Sequence, residues 1–170
     1  MNRRVTWSLT GILLAVLVGC AGNVLGAPEN KVDSATRCAV CGMFVAKYDN
    51  WISQIRLADD SVLFFDGVKD MMVFYLNPKQ YGQAARSDLK ELWVRDYYSL
   101  QWLDARKAYY VIGSDVYGPM GKEFVPFASK DAAENFLSDH KGEKVISFTD
   151  ITDQLVQSMR SGMKMRHGDQ

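Results

Sequence analysis

One short segment, Arg37-Cys38-Ala39-Val40-Cys41-Gly42-Met43, holds two thiols and a thioether close together. Cysteine thiolate and methionine thioether are both soft donors. Together they select Cu(I), whereas zinc prefers thiolate and imidazole and gains little from a thioether. Cys41 and Met43 are two residues apart and would face one side of an extended stretch. Gly42 between them lets the backbone bend so that both sulfurs converge on one ion. A further thioether, Met120, stands in the turn Tyr117-Gly118-Pro119-Met120-Gly121, where it is poorly placed to fill a core and well placed to offer sulfur. The candidate ligands are therefore Cys41, Met43 and Met120, with Cys38 as an alternate thiolate.

Other readings of the pair stay open. In an oxidising compartment a CxxC can be a plain disulfide. A thioredoxin-type redox pair needs an activated thiolate at a helix N-terminus after a strand; here an irregular stretch precedes the pair and a strand pattern follows it. Half a zinc site would need a second CxxC or a histidine pair, and neither is present. Met71 and Met72 lie on an apolar helical stretch, where methionine fills core gaps. Met159, Met163, Met165 and His167 lie in a polar tail read as solvated.

The start of the chain is an address. Met1–Arg4 is basic, and Trp7–Val18 is uncharged, largely apolar and too short to span a bilayer. Leu17-Val18-Gly19-Cys20 then resembles a bacterial lipobox. Residues 1–19 are read as a lipoprotein signal peptide, Cys20 as the lipidated new N-terminus, and residues 20–33, rich in Gly, Pro and Asn, as a tether. The destination is the cell envelope of a bacterium, facing the periplasm. Ala21 after the lipidated cysteine favours the outer membrane. Once Cys20 carries lipid, Cys38 and Cys41 are the remaining thiols.

Composition narrows the rest. With 170 residues, 48% hydrophobic and 24% charged, the chain can build one real core. Lys plus Arg equals Asp plus Glu, 20 against 20, which argues against general nucleic-acid binding. Three cysteines and two histidines exclude tandem zinc fingers, and no Gly-rich phosphate loop occurs. A Ser-His-Asp enzyme would have to use His140 or His167, both in polar surroundings near the C-terminus, so no catalytic residue is nominated.

The elements that must position the sulfurs read as follows. Strands are expected over 44–57 and 62–65, a helix over 68–76 stopped by Asn77-Pro78, and an aromatic strand over 92–103. The second half repeats this order. Strands are expected over 108–113 and 123–127, a helix capped by Ser129 running through Leu137, a strand over 144–148, and a last helix opened by Thr149-Asp150. Laying Lys69-Asp70 on Lys130-Asp131 aligns the halves as a weak internal duplication, about 34–103 and 104–155. The class is α+β: two small strand-strand-helix-strand units with mixed or antiparallel sheets, forming a domain over 34–155 ahead of a flexible tail, 156–170.

These motifs together resemble the NosL family. The lipobox, the tether, Cys38-x-x-Cys41-Gly42-Met43, Phe64-Phe65-Asp66-Gly67 opening a methionine-bearing helix, and Pro119-Met120-Gly121 carry the likeness across the mature domain. The resemblance implies a lipid-anchored Cu(I) chaperone, not an enzyme, that serves maturation of nitrous oxide reductase. It implies delivery to a membrane ABC-type maturation complex or to the apo-reductase. One departure stands out: the family's usual acidic pair after phenylalanine is Asp66-Gly67 here. The class alternative is an envelope thiol-disulfide oxidoreductase using Cys38 and Cys41.

Overall fold

The computed structural model describes residues 26–82 and 85–164. The signal-peptide reading, the lipidation of Cys20, Met165 and His167 lie outside the described residues. No described helix is long and apolar enough to cross a membrane.

Two antiparallel sheets share one plan. In the first unit β1 (Ser53–Leu57) is flanked by β2 (Val62–Phe65) and β3 (Leu89–Arg95), and the helix α1 (Val68–Leu76) links those two flanking strands. In the second, β5 (Tyr109–Ile112) lies between β8 (Val125–Phe127) and β9 (Lys144–Ser147), with α2 (Lys130–Asp139) linking them. Each unit is thus strand-strand-helix-strand with its first strand in the centre. β4 (Trp102–Asp104) widens the first sheet, and a short ribbon of β6 (Tyr117–Gly118) and β7 (Gly121–Lys122) is inserted between β5 and β8. Ser53 pairs with Phe65 and Gln54 with Trp93, so the centre of the first sheet is fully laddered.

The units are fused through their core. Ile52, Ile55, Phe65, Phe74 and Leu92 from the first pack in one buried cluster with Tyr110, Phe124 and Ile146 from the second. A smaller cluster of Val111, Val125, Phe127, Ala133 and Phe136 sits under α2. Asp96, buried, accepts the Ala128 N–H at 2.7 Å, and Tyr97 N–H donates to the Pro126 carbonyl at 2.9 Å, which ties β3 to the second sheet.

Four expected elements come out differently. The strand over 44–57 is a strand only from Ser53; Val45–Trp51 forms 3-10 turns broken at Tyr48. The polar run Lys47-Tyr48-Asp49-Asn50 has no apolar alternation to pair with a sheet, and Asp and Asn favour turns. The aromatic strand over 92–103 is two strands. Asp96 breaks it by accepting the N–H groups of Tyr98 and Ser99 through its side chain, an Asx turn that puts Leu100 at φ 59. The last helix does not open at Thr149-Asp150. Those residues close a 3-10 turn, and α3 (Asp153–Lys164) starts behind Thr152, whose hydroxyl accepts the Leu155 N–H. The tail expected to be flexible from 156 is therefore helical through Lys164. Its apolar stripe accounts for this, because Val156 and Met159 are buried in the main core.

α1 decides where the site lies. Val68 to Phe74 are all buried, so the helix runs through the core with only Lys69 and Asp70 as polar members. No side chain of its own caps its N-terminus; the Glu123 carboxyl does so from the second unit, its Oε1 accepting the Lys69 N–H at 2.5 Å and the Phe124 N–H at 2.9 Å. A Cβ on Gly67 would overlap that carboxyl, so a side chain there would force Glu123 out of its capping position. The Lys69 ammonium donates to the carbonyls of Met120 at 2.5 Å and Lys122 at 2.7 Å, pinning the ribbon to the helix.

Candidate metal centre

The CxxCGM segment folds as a closed loop. Cys38 N–H donates to the Met43 carbonyl at 2.8 Å, and Gly42 N–H donates to the Cys38 carbonyl at 3.0 Å. Gly42 sits at φ 75, in the left-handed region that a side chain would strain, although there is open space where its Cβ would be. The segment is thus a turn rather than the extended stretch that would put Cys41 and Met43 on one side. Arg37 and Phe44 pair across the loop's base, the guanidinium resting 3.9 Å from the ring centre. Ala39 N–H donates to the Phe64 carbonyl at 3.0 Å, which docks the loop on β2.

β2 ends one residue before Asp66, and Asp70 follows in the first turn of α1. The docked loop therefore faces the β2–α1 junction. One ligand atom from each of Cys38, Cys41, Asp66 and Asp70 lies within 4.8 Å of the others. Cys38, Asp66 and Asp70 are buried and Cys41 is half-buried, so the cluster is reached from the side of Cys41. Both thiols are free, and Cys38 Sγ donates to Asp70 Oδ2 at 3.5 Å.

Burial sets the proton affinities. It pushes the Cys38 thiol up to about 11, against the opposing pull of the Cys41, Asp66 and Val40 backbone amides. Burial raises Cys41 as well, and its hydrogen bonds to Cys38 and Asp70 add to the effect. Asp70 is raised by burial and then by the charge of Asp66, with Arg160 on α3 acting in the opposite direction. The amides that face Cys38 stabilise a thiolate once a cation replaces the proton.

The nominated ligands fall into two groups. Cys38 and Cys41 share the cluster. Met43 closes the loop and is half-buried, and Met120 is half-buried on the β6–β7 turn, its backbone carbonyl held by the residue adjacent to Asp70. Met71 and Met72 are fully buried core residues. Met159, read as part of a solvated tail, is also in the core. His140 is remote in role: it stacks on Phe136 and pairs with Asp115 at 3.1 Å. Asp66 and Asp70 are not among the ligands expected from the sequence, nor is Glu123. An acid at a helix start is ordinarily a cap, and no local signal tells that these two are buried facing two thiols.

A dithiol and two carboxylates at the junction of a strand and a buried helix give this α+β protein a cluster of four side chains that could hold a metal ion. The family model described as NosL matches residues 29–156, and the chain belongs to the NosL family. It is 29% identical to the "Copper-binding lipoprotein NosL" of Achromobacter cycloclastes, covering 100% of this chain and 92% of that protein. It is 28% identical to the protein of the same name from Stutzerimonas stutzeri, covering 93% and 86%. The crystal structure of the copper chaperone NosL from Shewanella denitrificans superimposes with a TM-score of 0.66 at 26% identity, covering 75% of this chain and 97% of that one.

Proposed function

We propose that this chain is a Cu(I) carrier, lipid-anchored through Cys20 at the periplasmic side of a bacterial envelope membrane, that hands copper to the maturation machinery of nitrous oxide reductase. The observation that carries the reading is the pair of free thiols, Cys38 buried and Cys41 half-buried, with their sulfurs within 4.8 Å. The names of its relatives support copper as the cargo. The receiver, an ABC-type membrane complex or the apo-reductase, follows from the family resemblance.

Soft sulfur supplies the affinity. Loading breaks the S–H bonds, and the protons leave to solvent as the copper–sulfur bonds form. Met43 and Met120 are the thioethers proposed to complete the set, and they bind without losing a proton. A site of few soft ligands releases its ion readily, because a receiver's donor adds before the carrier's leaves. The chain works as a carrier rather than as a catalyst. An oxidoreductase would need a thiol of lowered proton affinity, and burial drives Cys38 and Cys41 the other way.

The test is transfer. Copper-loaded full chain in detergent, mixed with copper-free reductase and its maturation complex, is expected to pass Cu(I) and build the copper-sulfur centre. The Cys38→Ser, Cys41→Ser chain is expected to pass none. Equal maturation with both chains would refute the assignment.

A further inference from the structure

The carrier reading uses the sulfurs of the pocket and leaves its carboxylates idle. Carboxylates are hard donors that Cu(I) disfavours. Yet Asp66 is only 1% exposed, and neither of its oxygens has a hydrogen-bond partner. A buried, unpartnered carboxylate is costly and is relieved by a cation. Lys69, one turn along, cannot serve, because its ammonium is spent on the Met120 and Lys122 carbonyls. Asp70 joins Asp66 with Cys38 and Cys41 in a four-donor set spanning at most 4.8 Å. Four donors around one tetrahedral divalent ion stand roughly 3.3–3.8 Å apart, given metal–sulfur and metal–oxygen bonds of about 2.3 and 2.0 Å. The widest pair of donors must close by about 1.0–1.5 Å to reach that spacing.

We propose that the pocket is also a four-donor site for a borderline divalent cation of the zinc type, held by the Cys38 and Cys41 thiolates and one oxygen each of Asp66 and Asp70. The inference rests on the same pocket as the carrier reading but needs no copper delivery. Charge favours it. Two thiolates and two carboxylates present four negative charges in a largely buried space, and a divalent ion cancels more of them than Cu(I) does. The S–H bonds of both thiols break as metal–sulfur bonds form, and the protons go to solvent. Cu(I) and the divalent ion share the sulfurs and therefore compete; the carboxylates bias that competition toward the divalent ion.

The full chain in detergent, its thiols kept reduced by a phosphine, is titrated with Co(II) and then Zn(II) without oxygen. Expected are sulfur-to-cobalt charge-transfer absorption, the intense visible bands of a tetrahedral centre, and displacement by Zn(II). X-ray absorption on the zinc-loaded parent is expected to show two sulfur and two oxygen neighbours. Asp66→Asn is expected to weaken Co(II) binding roughly 10–100-fold and Cu(I) binding by a much smaller factor, since even an outer partner of a metal ligand is worth that much. An oxygen-only cobalt spectrum, a zinc shell of sulfur alone, or equal losses of cobalt and copper in Asp66→Asn would overturn the proposal. Should Asp66→Asn fail to fold, the neighbour count on the parent decides alone. Tight cobalt binding without Cu(I) binding would support this site and overturn the carrier reading.

Discussion

Cys38 and Cys41 both hold their protons at neutral pH, the first pushed up to about 11 and the second also raised, each chiefly by burial. A metal must expel those protons, so affinity falls as pH falls. Apparent Cu(I) affinity is expected to drop about tenfold per pH unit for each thiol that is deprotonated on binding. Calorimetry in buffers of different ionisation enthalpy counts the released protons, and a count of zero would remove the thiols from the ligand set. The thioethers separate by place. Met120→Ala keeps the backbone carbonyl that Lys69 holds, so it is expected to cost within about 0.5–1 kcal/mol of stability while weakening Cu(I) binding. Met71→Ala empties a fully buried site and is expected to cost about 2–5 kcal/mol with no direct effect on the sulfur set. Unfolding and chelator-competition curves on the two variants check the contrast. The sulfurs were legible because CxxCGM gathers three soft donors within six residues. Asp66 and Asp70 were not, because only the docking of the loop on β2 turns two ordinary helix-start acids into walls of a thiol pocket.

β2 and α1 could be read to the residue, Val62–Phe65 and Val68–Leu76, because their apolar spacing is uninterrupted between Asp-Asp-Ser and Asn-Pro. Polarity decided the failures. The expected strand over 44–57 begins too early because large apolar residues flank a turn, and the break in the aromatic run lies in the N–H groups of Tyr98 and Ser99 that the Asp96 side chain accepts. The contact between α1 and the β6–β7 ribbon was invisible, since Lys69 and Glu123 are far apart in sequence and each looks like a surface charge. Lys69→Met leaves two carbonyls without their donor and is expected to cost about 2–5 kcal/mol. Glu123 gives that contact a pH signature. Burial pushes its carboxyl from the ordinary 4.5 up to about 8. Between those values the folded chain keeps a proton that the unfolded chain has lost, so stability falls as pH rises through the window. The slope is at most about 1.4 kcal/mol per pH unit. Denaturant unfolding from pH 4 to 9 should show this decline, and Glu123→Gln should flatten much of it.

The whole molecule places a chemically simple loop against a buried helix that both units hold: β2 leads into α1, Glu123 caps it, and α3 lies against it. The α+β class and the repeated strand-strand-helix-strand order were legible because each element carries its own periodicity. The fusion of the two cores and the closing helix were not, since a short polar tail with an apolar stripe becomes a helix only where it finds a groove. A chain ending at Thr152 lacks Val156 and Met159 and uncovers the core they pack against, and it is expected to lose about 3–6 kcal/mol of stability, measurable by thermal unfolding. The central claim is that the two thiols of this pocket bind Cu(I), and one measurement addresses it most directly. The reduced full chain is titrated with Cu(I) against a chelator of known affinity, beside the chain carrying Cys38→Ser and Cys41→Ser. The account predicts that the parent takes copper from the chelator with copper–thiolate absorption in the ultraviolet and that the double variant does not. Equal copper uptake by the two chains, or none by the parent, would contradict it.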